Sequence, residues 1–130
     1  MFEFFEPMPL NKAENLSPVT LAFVGDAVYS LFVRHKLVLA ADYTAGTLQK
    51  LSSAEVSAHG QNQRLRSIES RFTEEEAAIF KRGRNAKKPS HSKNADLAEY
   101  NNSTGFEAVL GWLYITGQNQ RLLQLLEDKQ

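Results

Sequence analysis

Residues 17–39 read SPVTLAFVGDAVYSLFVRHKLVL, and this stretch decides the fold. Ser17 followed by Pro18 is typical of a helix start, because the serine side chain can cap the first turn and proline fits the first helical position. Gly25 is the only helix-breaking residue between Pro18 and residue 39. Apolar side chains surround nearly the whole circumference of this predicted helix, which is the pattern of a helix buried on most sides. We therefore expect it to be the central element of the fold.

The middle of the chain predicts further helices. Residues 47–69 place apolar side chains at helical spacing among polar ones and indicate one or two amphipathic helices, with a break expected at Gly60. Thr73 and the glutamate three residues later have the spacing of a capping box. They predict a short helix over residues 74–82 that ends at Gly83.

The last third of the chain predicts two more helices. Asn94 can cap a helix that runs to residue 115, with a kink at residues 101–103, before Gly117 closes it. A final helix from about residue 120 carries a stripe of leucines that needs a surface to pack on. Strand-like alternation is absent from the sequence. The prediction is an all-α fold that forms one domain over residues 1–130.

Composition limits the classes of function. The 130 residues are 42% apolar and 23% charged, near the averages for globular domains, and they include no cysteine. A disulfide framework and a thiolate metal site are thereby excluded, so any metal ion must bind oxygen or nitrogen ligands. No apolar run approaches the ~20 residues that a membrane-spanning helix needs. We expect a cytoplasmic protein without a leader segment.

Charge is balanced overall but unevenly distributed. Fifteen basic and fifteen acidic residues give a formal net charge of zero, so the total charge does not indicate nucleic-acid binding. Residues 81–93 nevertheless contain no acid and six basic residues, namely Lys81, Arg82, Arg84, Lys87, Lys88 and Lys93. Taken alone, this stretch fits both a solvated surface loop and a phosphate-binding loop.

Two acidic residues stand alone in apolar segments. Asp26 lies in LAFVGDAVYSLFV and Glu107 lies in GFEAVLGWLYI. We expect both to be buried, and burying an isolated carboxylate costs several kcal/mol unless a partner compensates. Arg34 or Lys36 could supply an ordinary ion pair. A bound metal ion could serve the same purpose.

Glycines in these two segments indicate close helix packing. A glycine inside a helix costs roughly 1 kcal/mol relative to alanine, so Gly25, Gly105 and Gly111 suggest places where two backbones approach each other. A crossing there would bring Asp26 and Glu107 together. Carboxylate oxygens from two helices suit Mg²⁺ or Mn²⁺, which retain waters and accept phosphate oxygens as further ligands. This chemistry serves phosphodiester hydrolysis, in which the metal orients the attacking water and offsets charge on the phosphate.

The two acidic segments resemble the two sequence motifs of the ribonuclease III family. LAFVGDAVYS at residues 21–30 is similar to the signature segment of that family, and TGFEAVLGWLY at residues 104–114 is similar to its second acidic motif. The similarity covers residues 16–126. The segments KRGRNAKKPSHSKNAD and NNSTGFEAVLGWLY, together with the short chain, indicate the Mini-ribonuclease III branch of the family, which has the catalytic domain without a separate double-stranded-RNA-binding domain.

The resemblance implies a ribonuclease III-like helical endonuclease that cleaves double-stranded RNA as a homodimer. It implies Mg²⁺ as the cofactor, with Mn²⁺ as a substitute. It also implies a role in maturing the ends of the large-subunit (23S) ribosomal RNA precursor, with a ribosomal protein as a candidate partner. Asp26 matches the aspartate of the signature segment and Glu107 the glutamate of the second motif, so both are expected to be catalytic metal ligands.

Beside this pair of motifs, the basic stretch is expected to bind RNA. Phosphate contacts position a duplex, and double-stranded RNA is recognised mostly by shape. The expected contacts are Arg82, Arg84, Asn85, Lys87, Lys88 and Lys93.

Two positions depart from the general family pattern. The family has a glutamate one helical turn before its signature aspartate, where this chain has Ala22. It has an aspartate three residues before the glutamate of the second motif, where this chain has Thr104, whose hydroxyl could at best hold a metal-bound water. The short branch shares this reduced pattern, which favours one well-held ion. The alternative is a catalytically inactive RNA-binding ribosome-assembly factor with the same fold.

Overall fold

Helices form all the regular structure in the described part of the chain. The computed structural model describes residues 4–87 and 96–127. In chain order its elements are α1 (Leu10–Ala13), α2 (Pro18–Ala40), α3 (Ala45–Val56), α4 (Ala58–Ile68), a 3-10 turn (Glu69–Arg71), α5 (Glu74–Asn85), α6 (Leu97–Ile115) and α7 (Asn119–Leu126). These two ranges contain no strand, which confirms the predicted all-α class. None of their helices is both long enough and apolar enough to cross a membrane.

Side-chain caps fix where the helices begin. Ser17 accepts a hydrogen bond of 3.1 Å from the backbone N–H of Val19, so α2 starts as predicted. The side chain of Thr73 accepts from the backbone of Glu76 at 3.1 Å, and the Glu76 side chain accepts from the backbone of Thr73 at 2.9 Å, which completes the expected capping box of α5. These bonds satisfy backbone donors that a helix end would leave unpaired. The caps of α3, α4 and α6 are Thr44, Ser57 and Asp96.

Two of the predicted boundaries were wrong because a different residue supplies the cap. The break between α3 and α4 lies at Ser57, whose side chain accepts from the backbone N–H of Gly60 at 3.1 Å. Gly60 itself lies in the first turn of α4. The helix expected to begin after Asn94 begins after Asp96, and Asn94 lies outside the described residues. That helix is unbroken through residues 101–103, where the kink was predicted.

Gly83 does not end α5, contrary to prediction, because it serves packing. The helix continues past it to Asn85. Gly83 is buried against α6, and a Cβ atom placed on it would lie 2.8 Å from the Cα atom of Gly105. A Cβ on Gly105 would in turn lie 2.6 Å from the backbone oxygen of Phe80. Both contacts are too short for any side chain, so α5 and α6 meet backbone to backbone.

The central element is α6 and not α2. Helix α6 packs against α2, α4, α5 and α7. Its residues 103–113 are all buried except Glu107. One face of α2, by contrast, is open: Phe23 is 80%, Leu31 54% and Val38 63% exposed. The apolar circumference of α2 was visible in the sequence, but nothing in the described chain covers this side.

The predicted close approach of α2 and α6 is confirmed. A Cβ atom on Gly25 would collide with the backbone carbonyl group of Glu107 and lie 2.9 Å from the backbone nitrogen of Gly111. A Cβ on Gly111 would collide with the carbonyl group of Leu21. The two glycines thus face each other at the crossing, and each leaves space for the other helix.

Most of the leucine stripe of α7 packs inside the chain. Leu122, Leu125 and Leu126 are completely buried. Arg64 donates to the backbone oxygen of Leu126 at 3.0 Å, and Arg71 donates to that of Leu125 at 3.2 Å. The predicted stripe therefore packs within the chain, and only Leu123 of its four leucines is partly exposed.

Substituting a crossing glycine should destabilise the fold. We expect Gly111→Ala to lower the free energy of unfolding by about 1–3 kcal/mol, because the added methyl group pushes α2 away from α6. Gly46→Ala is the matched control: a Cβ there meets nothing within 4 Å. Because alanine favours a helix, the control should be neutral or stabilising by up to about 1 kcal/mol. Urea denaturation measures both, and equal losses would contradict the proposed crossing.

Candidate active site

The glycine crossing brings the carboxyl groups of Asp26 and Glu107 together. Asp26 directly follows Gly25 on α2, and the backbone of Glu107 is the part of α6 that Gly25 touches. The two carboxyl groups lie within hydrogen-bonding reach of each other. The predicted convergence of the two lone acids is therefore observed, and its cause is the close contact that the glycines allow.

The expectation that Asp26 is buried was wrong, since its side chain is exposed. Asp26 lies at the edge of the open face of α2, where Phe23, Ala27 and Leu31 are also exposed. Together with Phe4 and Tyr114, these residues line a cavity of about 450 Å³. Asp26 can be reached from solvent through this opening.

Glu107 is half-buried and is held by Gln61, a residue that the sequence analysis did not single out. The amide nitrogen of Gln61 on α4 donates to Oε2 of Glu107 at 3.0 Å and to the backbone oxygen of Val56 at 3.0 Å. Gln61 is only 2% exposed. The spacing of Gln61 with Leu65 and Ile68 could have revealed it, because all three lie on the buried face of one amphipathic helix.

Burial dominates the electrostatics of Glu107. The pKa of Glu107 is raised to about 8, mainly by burial; the Gln61 hydrogen bond lowers it, and the neighbouring Asp26 carboxyl group adds to the rise. The raised pKa reflects a buried carboxyl group beside a second acid, with no basic partner among the described residues. A bound cation would relieve this repulsion.

The ordinary ion pair considered from the sequence does not form. Lys36 binds Glu55 at 3.1 Å, and Arg34 is exposed. Over residues 4–87 and 96–127, neither Asp26 nor Glu107 has a salt-bridge partner.

The two departures from the family pattern leave the site with two carboxylates. Ala22 is buried, and the hydroxyl group of Thr104 donates to the backbone oxygen of Tyr100 at 3.2 Å within the same helix. The described residues contain no cluster of three or more acidic, histidine or cysteine side chains suited to a metal ion. Two hard carboxylate groups fit a Mg²⁺ or Mn²⁺ ion that keeps several waters, because such ions bind through one or two carboxylates with substrate oxygens.

The basic residues lie at the end of α5 and not beside the carboxylates. Arg82, Asn85 and Lys87 are exposed. The guanidinium group of Arg84 lies 5.7 Å from the ring centroid of Phe80 and donates to the side-chain oxygen of Asn85 at 3.3 Å. The other two predicted contacts, Lys88 and Lys93, lie outside the described residues.

Helix α6 separates the basic turn from the acidic pair. Gly105 faces α5, whereas Glu107 faces α2 and α4. Two residues correspond to a rotation of roughly 200° in an α-helix, which places these neighbours on opposite sides. Within one copy of the chain, the structure therefore brings Asp26 and Glu107 together but does not bring the described basic residues to them.

The fold and its motifs are similar to those of known proteins. The ribonuclease III domain family matches residues 19–118, a range that includes both carboxylates. The chain is 42% identical over 113 residues to Mini-ribonuclease 3 of Thermoanaerobacter sp. (strain X514), which covers 87% of this chain and 80% of that protein. It is 40% identical over 120 residues to Mini-ribonuclease 3 of Brevibacillus brevis, which covers 92% of this chain and 90% of that protein. A crystal structure of a protein from Fusobacterium nucleatum has a TM-score of 0.77 at 30% identity and covers 86% of this chain and 89% of its own.

Without a divalent cation, Glu107 should make stability fall as pH rises. Its pKa in the folded protein, about 8, lies above the ordinary 4.5, so folding favours the protonated form. The stability that this preference contributes is present below about pH 4.5 and is lost as pH rises through about 8. Urea denaturation in EDTA across this range should show a decline in the wild type that Glu107→Gln reduces.

The exposed acid Asp42 supplies the control for this pH series. Asp42→Asn should leave the decline unchanged, because Asp42 lies in the loop between α2 and α3, away from the pair. A difference in stability between wild type and Glu107→Gln that stays constant over the whole range would contradict the raised pKa.

Proposed function

This chain belongs to the ribonuclease III family and is an endoribonuclease, and on that premise we propose that it cleaves double-stranded RNA with a divalent cation held by Asp26 and Glu107. The observation that carries the proposal is the meeting of two carboxyl groups at a glycine crossing. Within the described ranges, no basic side chain neutralises them.

The two carboxylates have complementary placements. Asp26 is exposed and can be reached by a substrate phosphate, whereas Glu107 is half-buried and anchored on the central helix. Mg²⁺, with Mn²⁺ as a substitute, would offset charge on the phosphate and increase the acidity of a bound water. Ala22 and Thr104 add no further carboxylate, so the site is expected to hold one ion firmly.

The basic turn at the end of α5 is proposed to bind the RNA backbone away from the cleaved bond. Arg82, Asn85 and Lys87 are exposed there and can contact phosphates or 2′-hydroxyl groups. Arg84 is held over the ring of Phe80, which orders its guanidinium group. Lys88 and Lys93 complete the proposed set on the sequence argument alone.

The open apolar face of α2 is proposed to pair with a second copy of the chain. Phe23, Ala27, Leu31 and Val38 recur at helical spacing along one side of α2. An exposed face of this kind, apolar apart from Arg34, marks an interaction surface, and a two-fold dimer suits an antiparallel duplex. Asp26 borders this face, so each site would lie near the dimer interface.

The cellular role follows from the resemblance. The proposed substrate is the precursor of 23S ribosomal RNA in the cytoplasm, with a ribosomal protein as a candidate partner, and residues 1–130 are proposed to act as one catalytic domain. The rival proposal is an inactive ribosome-assembly factor. The absence of further carboxylates at Ala22 and Thr104 is the observation in its favour.

Cleavage of a labelled RNA duplex tests the proposed reaction. With Mg²⁺ the wild type should cut the duplex, whereas EDTA, Asp26→Asn and Glu107→Gln should each reduce cleavage by at least about a hundredfold, because a charged ligand is lost. Binding of the duplex, measured separately in EDTA, should be retained by both variants. Asp42→Asn should cut like the wild type. A wild type that binds duplex and ribosomal RNA precursor but cuts neither, with Mg²⁺ or Mn²⁺, would establish the inactive assembly factor instead.

Sedimentation equilibrium tests the proposed dimer. The wild type should have twice the mass of the 14.6 kDa chain. Phe23→Glu should give monomers, because a charge on the open face of α2 would have to be buried. Leu97→Glu, which alters an apolar residue that is 54% exposed on α6, should leave the mass unchanged. A monomeric wild type at micromolar concentration would contradict pairing through α2.

A further inference from the structure

We infer that Gln61 is a positioning residue that fixes the Glu107 carboxylate in the orientation needed to bind the divalent cation. This inference rests on the proposed function. Gln61 has no part in the sequence motifs that identify the two acids, and it contacts only one of them directly.

Both hydrogens of the Gln61 amide group form hydrogen bonds with oxygen atoms. The nitrogen donates to Oε2 of Glu107 at 3.0 Å and to the backbone oxygen of Val56 at 3.0 Å. Reversing the amide would place its oxygen against these two acceptors, so the contacts dictate one orientation. The amide oxygen is buried and has no hydrogen-bond partner among the described residues. The two hydrogen bonds from the amide nitrogen thus fix the orientation of Gln61, even though its amide oxygen has no partner among the described residues.

The backbone beneath Gln61 is itself fixed against α6. The next residue, Asn62, donates to the backbone oxygens of Ala58 at 2.8 Å and Glu99 at 2.9 Å, and it accepts from Asn102 at 3.1 Å. These bonds tie α4 to the first half of α6. Gln61 therefore joins Glu107 to a rigid corner and not to a mobile loop.

The end of α3 supplies the other anchor of the amide. Val56 is the last residue of α3, and Ser57 caps α4 immediately after it. A Cβ on Gly60 would lie 2.6 Å from the backbone oxygen of Glu55, so the two helices meet closely at this corner. The position of the Val56 carbonyl group is consequently set by the α3–α4 contact.

Glu107 needs such support because its neighbour repels it. When both acids are charged, Asp26 and Glu107 repel each other, and free rotation of the glutamate side chain would let its carboxylate turn away. The Gln61 bond opposes this rotation. A carboxylate that already points toward Asp26 loses less conformational freedom on binding a cation.

Binding of Mn²⁺ without RNA tests this role separately from cleavage. We expect Gln61→Met to lower Mn²⁺ affinity by roughly tenfold or more, as loss of a residue that orients a metal ligand typically does. Gln61→Asn keeps a buried amide but is too short to reach both partners, so it should show a similar loss and serves if Gln61→Met fails to fold. The matched control is Gln63→Met, which makes the same change two residues later on an exposed side of α4.

Cleavage kinetics and a double-mutant cycle distinguish positioning from a general structural effect. The Gln61 variants should have a lower kcat with little change in KM for the duplex, and melting temperatures near that of Gln63→Met. In a Glu107→Gln background, Gln61→Met should cause no further loss of Mn²⁺ affinity, because Gln61 acts through Glu107.

The outcomes separate this inference from the proposed function. A wild type that binds no Mn²⁺ overturns the metal site, and the role of Gln61 with it. A wild type that binds Mn²⁺ while folded Gln61 variants bind it equally well overturns only the role of Gln61. Additive losses in the double mutant would likewise show that Gln61 does not act through Glu107.

Discussion

The structure depends on one contact, the crossing of α2 and α6 at Gly25 and Gly111. Because neither residue has a side chain, the two backbones approach until Gly25 touches the carbonyl group of Glu107. Packing of α6 against three further helices then builds outward from this contact. The same approach determines the chemistry, since Asp26 follows Gly25 directly. A wider crossing would preserve an all-α fold but would separate the two carboxyl groups.

Bringing the two acids together destabilises the metal-free protein. Burial and the charge of Asp26 both raise the pKa of Glu107, and only the Gln61 hydrogen bond opposes them within the described residues. The fold elsewhere pairs its buried acid differently. Glu76 is 2% exposed, but Arg121 binds both of its carboxylate oxygens at 2.8 Å. For Glu76, burial tends to raise the pKa, yet the bonds from Arg121 and Thr73 outweigh it, and the pKa is lowered. The contrast distinguishes an acid satisfied by the fold from one that lacks a counter-charge.

Local signals in the sequence predicted local structure, but they could not predict exposure. Ser17 and Thr73 cap helices as expected, because a cap depends on neighbours only two or three residues away. The glycines predicted the helix crossing, since few other causes place glycine in buried helices. The exposure of Asp26 and the central position of α6 depend on which elements pack on each face of a helix. The apolar periodicity of a helix does not show whether another element of the described chain covers that face. Gln61 was missed because most of its neighbours are polar, although its helical spacing with Leu65 and Ile68 places it on the buried face of α4.

Helix α6 acts as a partition, and this has a consequence for protein engineering. Gly105 turns toward α5, whereas Glu107 turns toward α2 and α4. Changes to the exposed turn that ends in Lys87 can therefore be screened in combinatorial libraries without disturbing the geometry of the acidic pair. Helix α2 offers no such freedom, because three different roles fall within a single turn. Phe23 lies on the open face, Gly25 forms the crossing with α6, and Asp26 supplies the carboxyl group. Sequence diversity introduced on the α5 side of the partition would change the exposed turn and leave the positions of Asp26 and Glu107 as they are.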